Sequence, residues 1–201
     1  MNLVRISQFE KDWEWHSAID RLTGPAENGA IVQVKDHRQR FIGIGFYNAQ
    51  SKINVRVIAH ERITIDQGFF ETRIGAALAL RRKQLPEATS FRVVNAEADL
   101  LSGLIIDKYE DVAVIQISAL GMDVRKREIV AAVQKVLSPR AIVERSDVAS
   151  RKFEGLPEAN GVIAGETDGK VKVKLNGLVF ETDLLSGHKT GLYLDQQQNY
   201  R

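Results

Sequence analysis

Over residues 1–66 the apolar positions recur in short stretches with a period of two. Ala30–Lys35 and Arg40–Tyr47 alternate apolar and other side chains, most cleanly at Ile42, Ile44 and Phe46. A residue set that alternates in this way lines one face of a strand. Asp36, His37 and Arg38 sit between the two runs as a hairpin turn, and a third strand, Ile53–Ile58, follows the turn Asn48–Ala49–Gln50–Ser51. Thr23–Gly24–Pro25 and Asn28–Gly29 read as loops. Short strands joined by tight turns predict a small β-barrel or sandwich.

The period then changes. From Asp66, a suitable N-cap, the spacing of Phe70, Ile74, Ala77 and Leu78 is helical, and Pro86 closes the segment. The switch from strand to helix near 60–68 predicts a domain boundary. Beyond it α and β alternate. Phe91–Glu97 reads as a strand. Leu104–Asp107 and Val112–Ser118 read as a hairpin turning at Tyr109–Glu110–Asp111. Asp123 is the expected cap of a helix whose apolar stripe is Ile129, Val130, Val133, Val136 and Leu137, ended by Ser138–Pro139. Ala141–Glu144 has the continuous apolar character of a buried strand. Val171–Leu175 and Leu178–Thr182 flank Asn176–Gly177, a strong short-range hairpin signal. No internal repeat or low-complexity stretch interrupts the pattern. The chain closes on LLSGHKTGLYLDQQQNYR, in which Leu192, Tyr193 and Leu194 look exposed. A segment this rich in specific residues predicts something to pack against, and suggests the front part of a longer protein.

Composition narrows the classes without naming one. The 201 residues are 44% hydrophobic and 27% charged, which supports a packed core. No apolar run reaches the ~18–20 residues of a membrane span, and the N-terminus has no apolar leader core. With no cysteine in the sequence, disulfides, thiolate metal sites and a cysteine nucleophile are excluded within these residues. The cytoplasm is the expected compartment. The net charge is only +2, and bases and acids balance to within one over 1–75, 76–150 and 151–201. Nucleic-acid binding therefore has to come from a folded patch rather than a basic tail.

Several motifs fail on context. Gly43-Ile44-Gly45 lies inside a strand with Asn48 where a dinucleotide loop needs its third glycine. That fits glycines in a crowded small barrel better than a phosphate loop. Gly187-His188-Lys189-Thr190 has His188 and Asp183 where a P-loop needs glycine. His16, His37, His60 and His188 share no ligand spacing. Glu97 with Asp99, and Asp107, are candidates for paired carboxylates, with turn acids as the commoner explanation. Glu144-Arg145-Ser146-Asp147, Arg151-Lys152 and Glu154-Gly155 form a dense charged loop, either a binding loop or a solvated ion-pair network. Arg38, Arg40, Lys52 and Arg56, with Tyr47 or Phe46 nearby, are the candidate RNA contacts. They could line one surface that holds a phosphate backbone, or be ordinary surface charge.

Taken together, several segments resemble one family. They are Gly43-Ile44-Gly45-Phe46-Tyr47-Asn48 with Ser51 and Val55-Arg56-Val57, Phe91 through Asp99, and Leu101 through Tyr109. Glu144-Arg145-Ser146-Asp147, Arg151, Glu154-Gly155-Leu156 and Gly187 through Gln196 complete the series. The ordered set resembles the S-adenosylmethionine-dependent ribosomal large-subunit methyltransferase I family, cytosine-5 methyltransferases of 23S rRNA. The resemblance implies an α+β chain. A small PUA-like β-barrel that binds RNA would occupy 1–66, a central α/β domain 67–185, and the start of a Rossmann-like methyltransferase domain 186–201. By position it places Lys189, Thr190, Gly191, Asp195 and Gln196 near S-adenosyl-L-methionine. Ser102, His188 and Gln197 depart from the family's proline, glutamine and arginine. The family's catalytic cysteine and glycine-rich cofactor loop would lie beyond residue 201, so this chain alone is expected to be inactive and not to hold the cofactor. Ribosomal RNA is the implied partner, with no membrane. A stand-alone RNA-binding module, and a homodimer that covers Leu192–Leu194, are the other expectations.

Overall fold

A computed structural model describes residues 2–6, 13–15, 19–175, 177–187 and 190–194, with backbone only for 13–15. The first part is one six-stranded sheet. Its strands are β1 (Asn2–Ile6), β2 (Trp13–Trp15), β3 (Ile19–Thr23), β4 (Ile31–Lys35), β5 (Phe41–Tyr47) and β6 (Ile53–Ala59), in the order β2-β6-β5-β4-β1-β3. Neighbours are antiparallel except β1 and β4, which run parallel. The three strands anticipated from alternation are present. The other three are short, and charges such as Arg5, Asp20 and Arg21 interrupt their apolar pattern, so alternation does not reveal them. The described pairings run from β2 to β3 without joining those two, which makes this a β-rich sheet module rather than a demonstrated closed barrel.

Gly43 and Gly45 are required by the close approach of β5 to β6. A Cβ on Gly43 would meet the Ala59 carbonyl oxygen at 2.5 Å, and one on Gly45 the Arg56 carbonyl oxygen at 2.6 Å. Backbone cannot yield as a flexible side chain would, so these are packing glycines.

Helix α1 (Gln67–Gln84) starts as expected. The Asp66 carboxylate accepts from the Phe69 amide at 3.0 Å, and Phe70, Ile74, Ala77 and Leu78 are buried. The second sheet contains β7 (Phe91–Asn95), β8 (Leu104–Tyr109), β9 (Val112–Ile117), β10 (Ala141–Ser146) and β11 (Ala159–Gly165), in the order β11-β10-β9-β8-β7. Only β9 and β10 are parallel, and the crossover between them is α2 (Leu120–Asp123) and α3 (Lys126–Leu137). Two expectations shift here. Strand β7 stops at Asn95, and Ala96–Asp99 coils into a 3-10 turn. Asp123 does not cap α3, whose N-cap is Arg125; it ends α2, and its carboxylate takes Arg151 and Lys126 instead. Strand β11 escaped notice because Asn160, Gly161 and Gly165 dilute its apolar pattern. Strands β12 (Lys170–Leu175) and β13 (Leu178–Asp183) form the expected hairpin, with Leu175 opposite Leu178.

The second sheet is covered on both faces. Ile106, Ile115 and Ile142 pack with Ile74 and Leu78 of α1 and Ile129 and Val133 of α3. Val112, Val114 and Val143 on the other face pack under Val171, Val173 and Leu175 of the hairpin, with Leu184 and Leu194. The helix-side core also takes in Ile44, Phe46, Ile58 and Ala59 of the first sheet. Apolar packing is therefore continuous across 60–68. No described helix is long and apolar enough to cross a membrane.

Candidate nucleic-acid interface

The two sheets are held at their junction by one buried carboxylate. Glu154 ends the 3-10 turn Ala149–Glu154 and is 4% exposed. Its Oε1 accepts from the Ser51 hydroxyl at 2.7 Å and from Arg56 Nη2 at 2.9 Å. Its Oε2 accepts from Asn48 Nδ2 at 3.0 Å and from the Leu120 amide at 3.2 Å. Burial pushes this carboxyl's pKa up, but the Ser51 hydroxyl, the Arg56 guanidinium and the Asn48 amide outweigh it and hold the group below the ordinary glutamate value. Arg56 also donates to Ser102 Oγ at 3.2 Å, and Ser102 Oγ donates to Glu97 at 2.7 Å. Arg56, one of the expected RNA contacts, has a mostly buried side chain that links β6 to Glu154 and Ser102.

Arg38 and Arg40 lie in the β4–β5 turn, whereas Lys52 lies in the β5–β6 turn at the far end of β5. Seven strand residues at ~3.4 Å each separate the two ends by about 20 Å. The four basic residues thus do not line one surface, and Phe46 is buried under the Arg125 guanidinium, 4.3 Å from its ring centroid. Arg40 Nε pairs with Asp36 at 2.6 Å, yet its side chain is 69% accessible. A pair that exposed contributes little to stability and can exchange for a phosphate. At the other end, Lys52 Nζ sits 5.8 Å from the centroid of Phe153, a residue the sequence reading passed over. Both border a pocket of about 240 Å³ that also includes Ser51, Ile53, Arg56, Ser118, Ser150 and Glu154.

The candidate acids are each claimed by a basic or hydroxyl partner rather than paired with one another. Arg81 holds Asp99 through two bonds of 2.5 and 2.7 Å. Asp107, fully buried, accepts from Arg92 Nε at 2.9 Å, from Arg92 Nη2 at 3.1 Å and from the Thr190 hydroxyl at 2.6 Å. In the charged loop Glu144, Arg145, Arg151 and Glu154 are buried, while Asp147, Lys152 and Gly155 are exposed. Arg145 donates to Asp147 and to the carbonyls of Leu184 and Gly187, and Arg151 donates to the carbonyls of Ile117 and Pro157. Among the described residues no group of three His, Cys, Asp or Glu side chains could hold a metal.

The same face fixes the end of the described chain. The Tyr109 hydroxyl accepts from the Leu192 amide at 2.8 Å and donates to the Leu192 carbonyl at 3.1 Å. Leu194 is buried and Leu192 packs against the same cluster, so these leucines are covered by the chain's own sheet. Of the five residues placed near the cofactor, Lys189, Asp195 and Gln196 lie outside the described residues. Thr190 and Gly191 turn inward, the first onto Asp107 and the second against the Tyr109 ring, where a Cβ on Gly191 would come within 3.0 Å of the hydroxyl. The Thr190 hydroxyl is thus taken by Asp107, and both residues anchor this segment to β8.

That anchor titrates. Burial, then the Asp107 carboxylate, pushes the Tyr109 hydroxyl up to about 12. In the unfolded chain it ionises near 10, so the stability it confers is complete below about pH 10 and is lost as pH rises toward about 12, at no more than ~1.4 kcal/mol per pH unit. Urea unfolding at several alkaline pH values should show this loss in the native sequence and its absence in Tyr109→Phe. Parallel curves for the two proteins would refute the assignment.

A PUA-like domain family model matches residues 13–60. A curated relative from Alteromonas mediterranea, named Ribosomal RNA large subunit methyltransferase I, is 41% identical over 190 residues, covering 93% of this chain and 48% of the relative. A relative of the same name from Tolumonas auensis is 38% identical over 195 residues, with the same coverage. The chain thus spans about half the length of the curated relatives it matches. A solved structure from Streptococcus mutans, described as a SAM-dependent methyltransferase, superposes with a TM-score of 0.79 at 20% identity, over 99% of this chain and 53% of that one. The fold is therefore shared, and the resemblance carried by the motifs extends over nearly the whole chain.

Proposed function

We infer that this chain belongs to the ribosomal RNA large subunit methyltransferase I family and forms the RNA-holding portion of a S-adenosylmethionine-dependent enzyme. The identity of 36–41% over 93% of the chain carries this reading. We assign 1–66 to a PUA-like module whose sheet closes as a small barrel, and 67–185 to the central domain. Residues 186–201 lead toward the cofactor domain. Large-subunit ribosomal RNA is the substrate, in the cytoplasm, and cytosine C5 is the proposed methylated position.

C5 methylation at cytosine needs a nucleophile that adds to C6 and makes C5 electron-rich, the task of a thiolate. No cysteine occurs in the 201 residues, so they do not supply that step. S-adenosylmethionine, when bound to the whole enzyme, supplies the methyl group. Lys189, Asp195 and Gln196 remain our assignment for residues beside it, and Thr190 and Gly191 fix the approach. What this chain's own residues do is hold RNA. Arg38, Arg40 and Lys52 meet phosphates, while Arg56 and Glu154 keep the two sheets in one orientation.

The test uses the 201-residue chain and a transcribed fragment of 23S rRNA. Binding should weaken with salt, with a slope of about −2 in log K against log salt for three contacts at ~0.7 each. No label should pass from radioactive S-adenosylmethionine to the RNA. Methyl transfer by this chain alone would overturn the division of labour, and salt-insensitive or absent binding would remove the RNA-holding role. Binding to RNA by a whole protein that nowhere bears methyltransferase activity would favour a stand-alone module.

A further inference from the structure

We propose that the groove between the β5–β6 turn and the 3-10 turn Ala149–Glu154 takes one unstacked base of single-stranded RNA, stacked on Phe153 with its phosphate against Lys52. The proposal rests on the RNA-holding reading and gives it a place and a chemistry. A solitary exposed phenylalanine is ordinary and would carry nothing. Three further features distinguish this one.

The first is rigidity. Phe153 is 62% exposed, yet it stands between two buried and tightly bonded residues of the same turn, Arg151 and Glu154. Arg151, 1% exposed, donates to the carbonyls of Ile117 at 2.7 Å and Pro157 at 2.6 Å and to Asp123 at 3.0 Å. Glu154 receives the four donors described above. The ring is thus presented outward by a turn that cannot readily fold it back, and little ordering entropy is left to lose on stacking.

The second is charge. Lys52 Nζ lies at the edge of the ~6 Å range for a cation over a ring, exposed rather than sealed. The one carboxylate in the pocket floor, Glu154, is matched by Arg56, so Lys52 is the charge the pocket shows to a ligand. That favours an anionic occupant. The third is size. About 240 Å³ falls below the ~300–1,000 Å³ of sites that hold drug-sized ligands, and suits a single ring system. A base with its phosphate one ribose away meets all three conditions, and Ser118 and Ser150 are among the residues that line the pocket.

The experiment measures binding of the 201-residue chain to a short single-stranded oligoribonucleotide and to the same sequence as a blunt duplex. Stacking on an aromatic side chain predicts that Phe153→Ala weakens the single strand roughly five- to hundredfold and the duplex far less. Phe153→Tyr and Phe153→Trp should restore it, because both keep a π face. Lys52→Gln should flatten the salt slope by about 0.7. Thermal midpoints should stay with the parent, since both side chains are exposed. Native binding with Phe153→Ala unchanged would overturn this site and leave the RNA-holding reading standing. A loss that neither aromatic restores would also overturn it. A native chain that binds no RNA would overturn both.

Discussion

Replacing Glu154 by alanine is expected to cost about 3–5 kcal/mol, the range for removing one partner from a buried ion pair. The substitution leaves the Arg56 guanidinium, mostly buried, without its closest acceptor, and removes the side-chain acceptor of Ser51, the Leu120 amide and Asn48 Nδ2, which keeps only the Glu154 carbonyl. Ser51, Asn48 and Arg56 belong to the β5–β6 end of the first sheet, whereas Glu154 and Leu120 belong to the second part of the chain, so the effect is on the union of the two parts and not on one loop. The continuous core predicts a single calorimetric transition for the native chain, and Glu154→Ala should split or broaden it. Arg56→Met should cost less, because Glu154 keeps three neutral donors and the new side chain fills similar space. The pH dependence has a definite sign. Since folding lowers the Glu154 pKa, its contribution is present above the unfolded value near 4.5 and is lost as pH falls through the lower folded value. Glu154→Ala should lack that acid-side loss. A variant within about 1 kcal/mol of the parent, still melting in one sharp transition, would show that apolar packing alone joins the sheets.

These two networks also show where a sequence stops being legible. Strands β4, β5 and β6 and helix α1 were readable because each writes its own period and its own cap within a few residues, as Asp66 does for Phe69. The hairpin at Asn176–Gly177 was readable from a turn dipeptide. Glu154 was not, since its partners Ser51 and Asn48 lie 103 and 106 positions away and nothing local marks which charge of a charged loop will be buried. Arg56 looked like a surface cation for the same reason. Asp123 satisfied the rule for a helix cap, but a competing arginine 28 positions on claimed it. Resemblance supplied what periodicity did not, the family and the expectation that Thr190 and Gly191 lie near the cofactor. It did not say which way those residues face, and their packing onto Asp107 and Tyr109 had no signal in the sequence. Phe153 carried no signal at all in one dimension. The role proposed for it comes from its 3-10 turn, a lysine of the β5–β6 turn and the pocket that both border.

Replacing Asp107 by alanine is the complementary case, because it should release the chain's last described segment rather than part the sheets. Asp107 stands on the face of β8 that carries the hairpin, and it joins Arg92 of β7 to Thr190. Without it the Arg92 guanidinium and the Thr190 hydroxyl both lose this acceptor. The expected loss is again about 3–5 kcal/mol, with Asp107→Asn intermediate because an amide oxygen can still accept from Thr190. Hydrogen exchange separates a local release from general unfolding. The amides of Leu184, Gly187 and Leu192, which donate to Gly169, Asp183 and the Tyr109 hydroxyl, should lose protection first. The amides of α1 and α3, which bear on the opposite face, should keep theirs until the whole chain unfolds. A double-mutant cycle then tests the contact itself. Thr190→Val should cost about 1 kcal/mol in the parent and almost nothing once Asp107 is gone. Additive losses, or protection of Leu192 that survives Asp107→Ala, would mean that Tyr109 and Leu194 hold the segment by themselves. In that event the inward turn of Thr190 would follow from the packing of its neighbours, and its hydroxyl would have no part in setting where the chain leads.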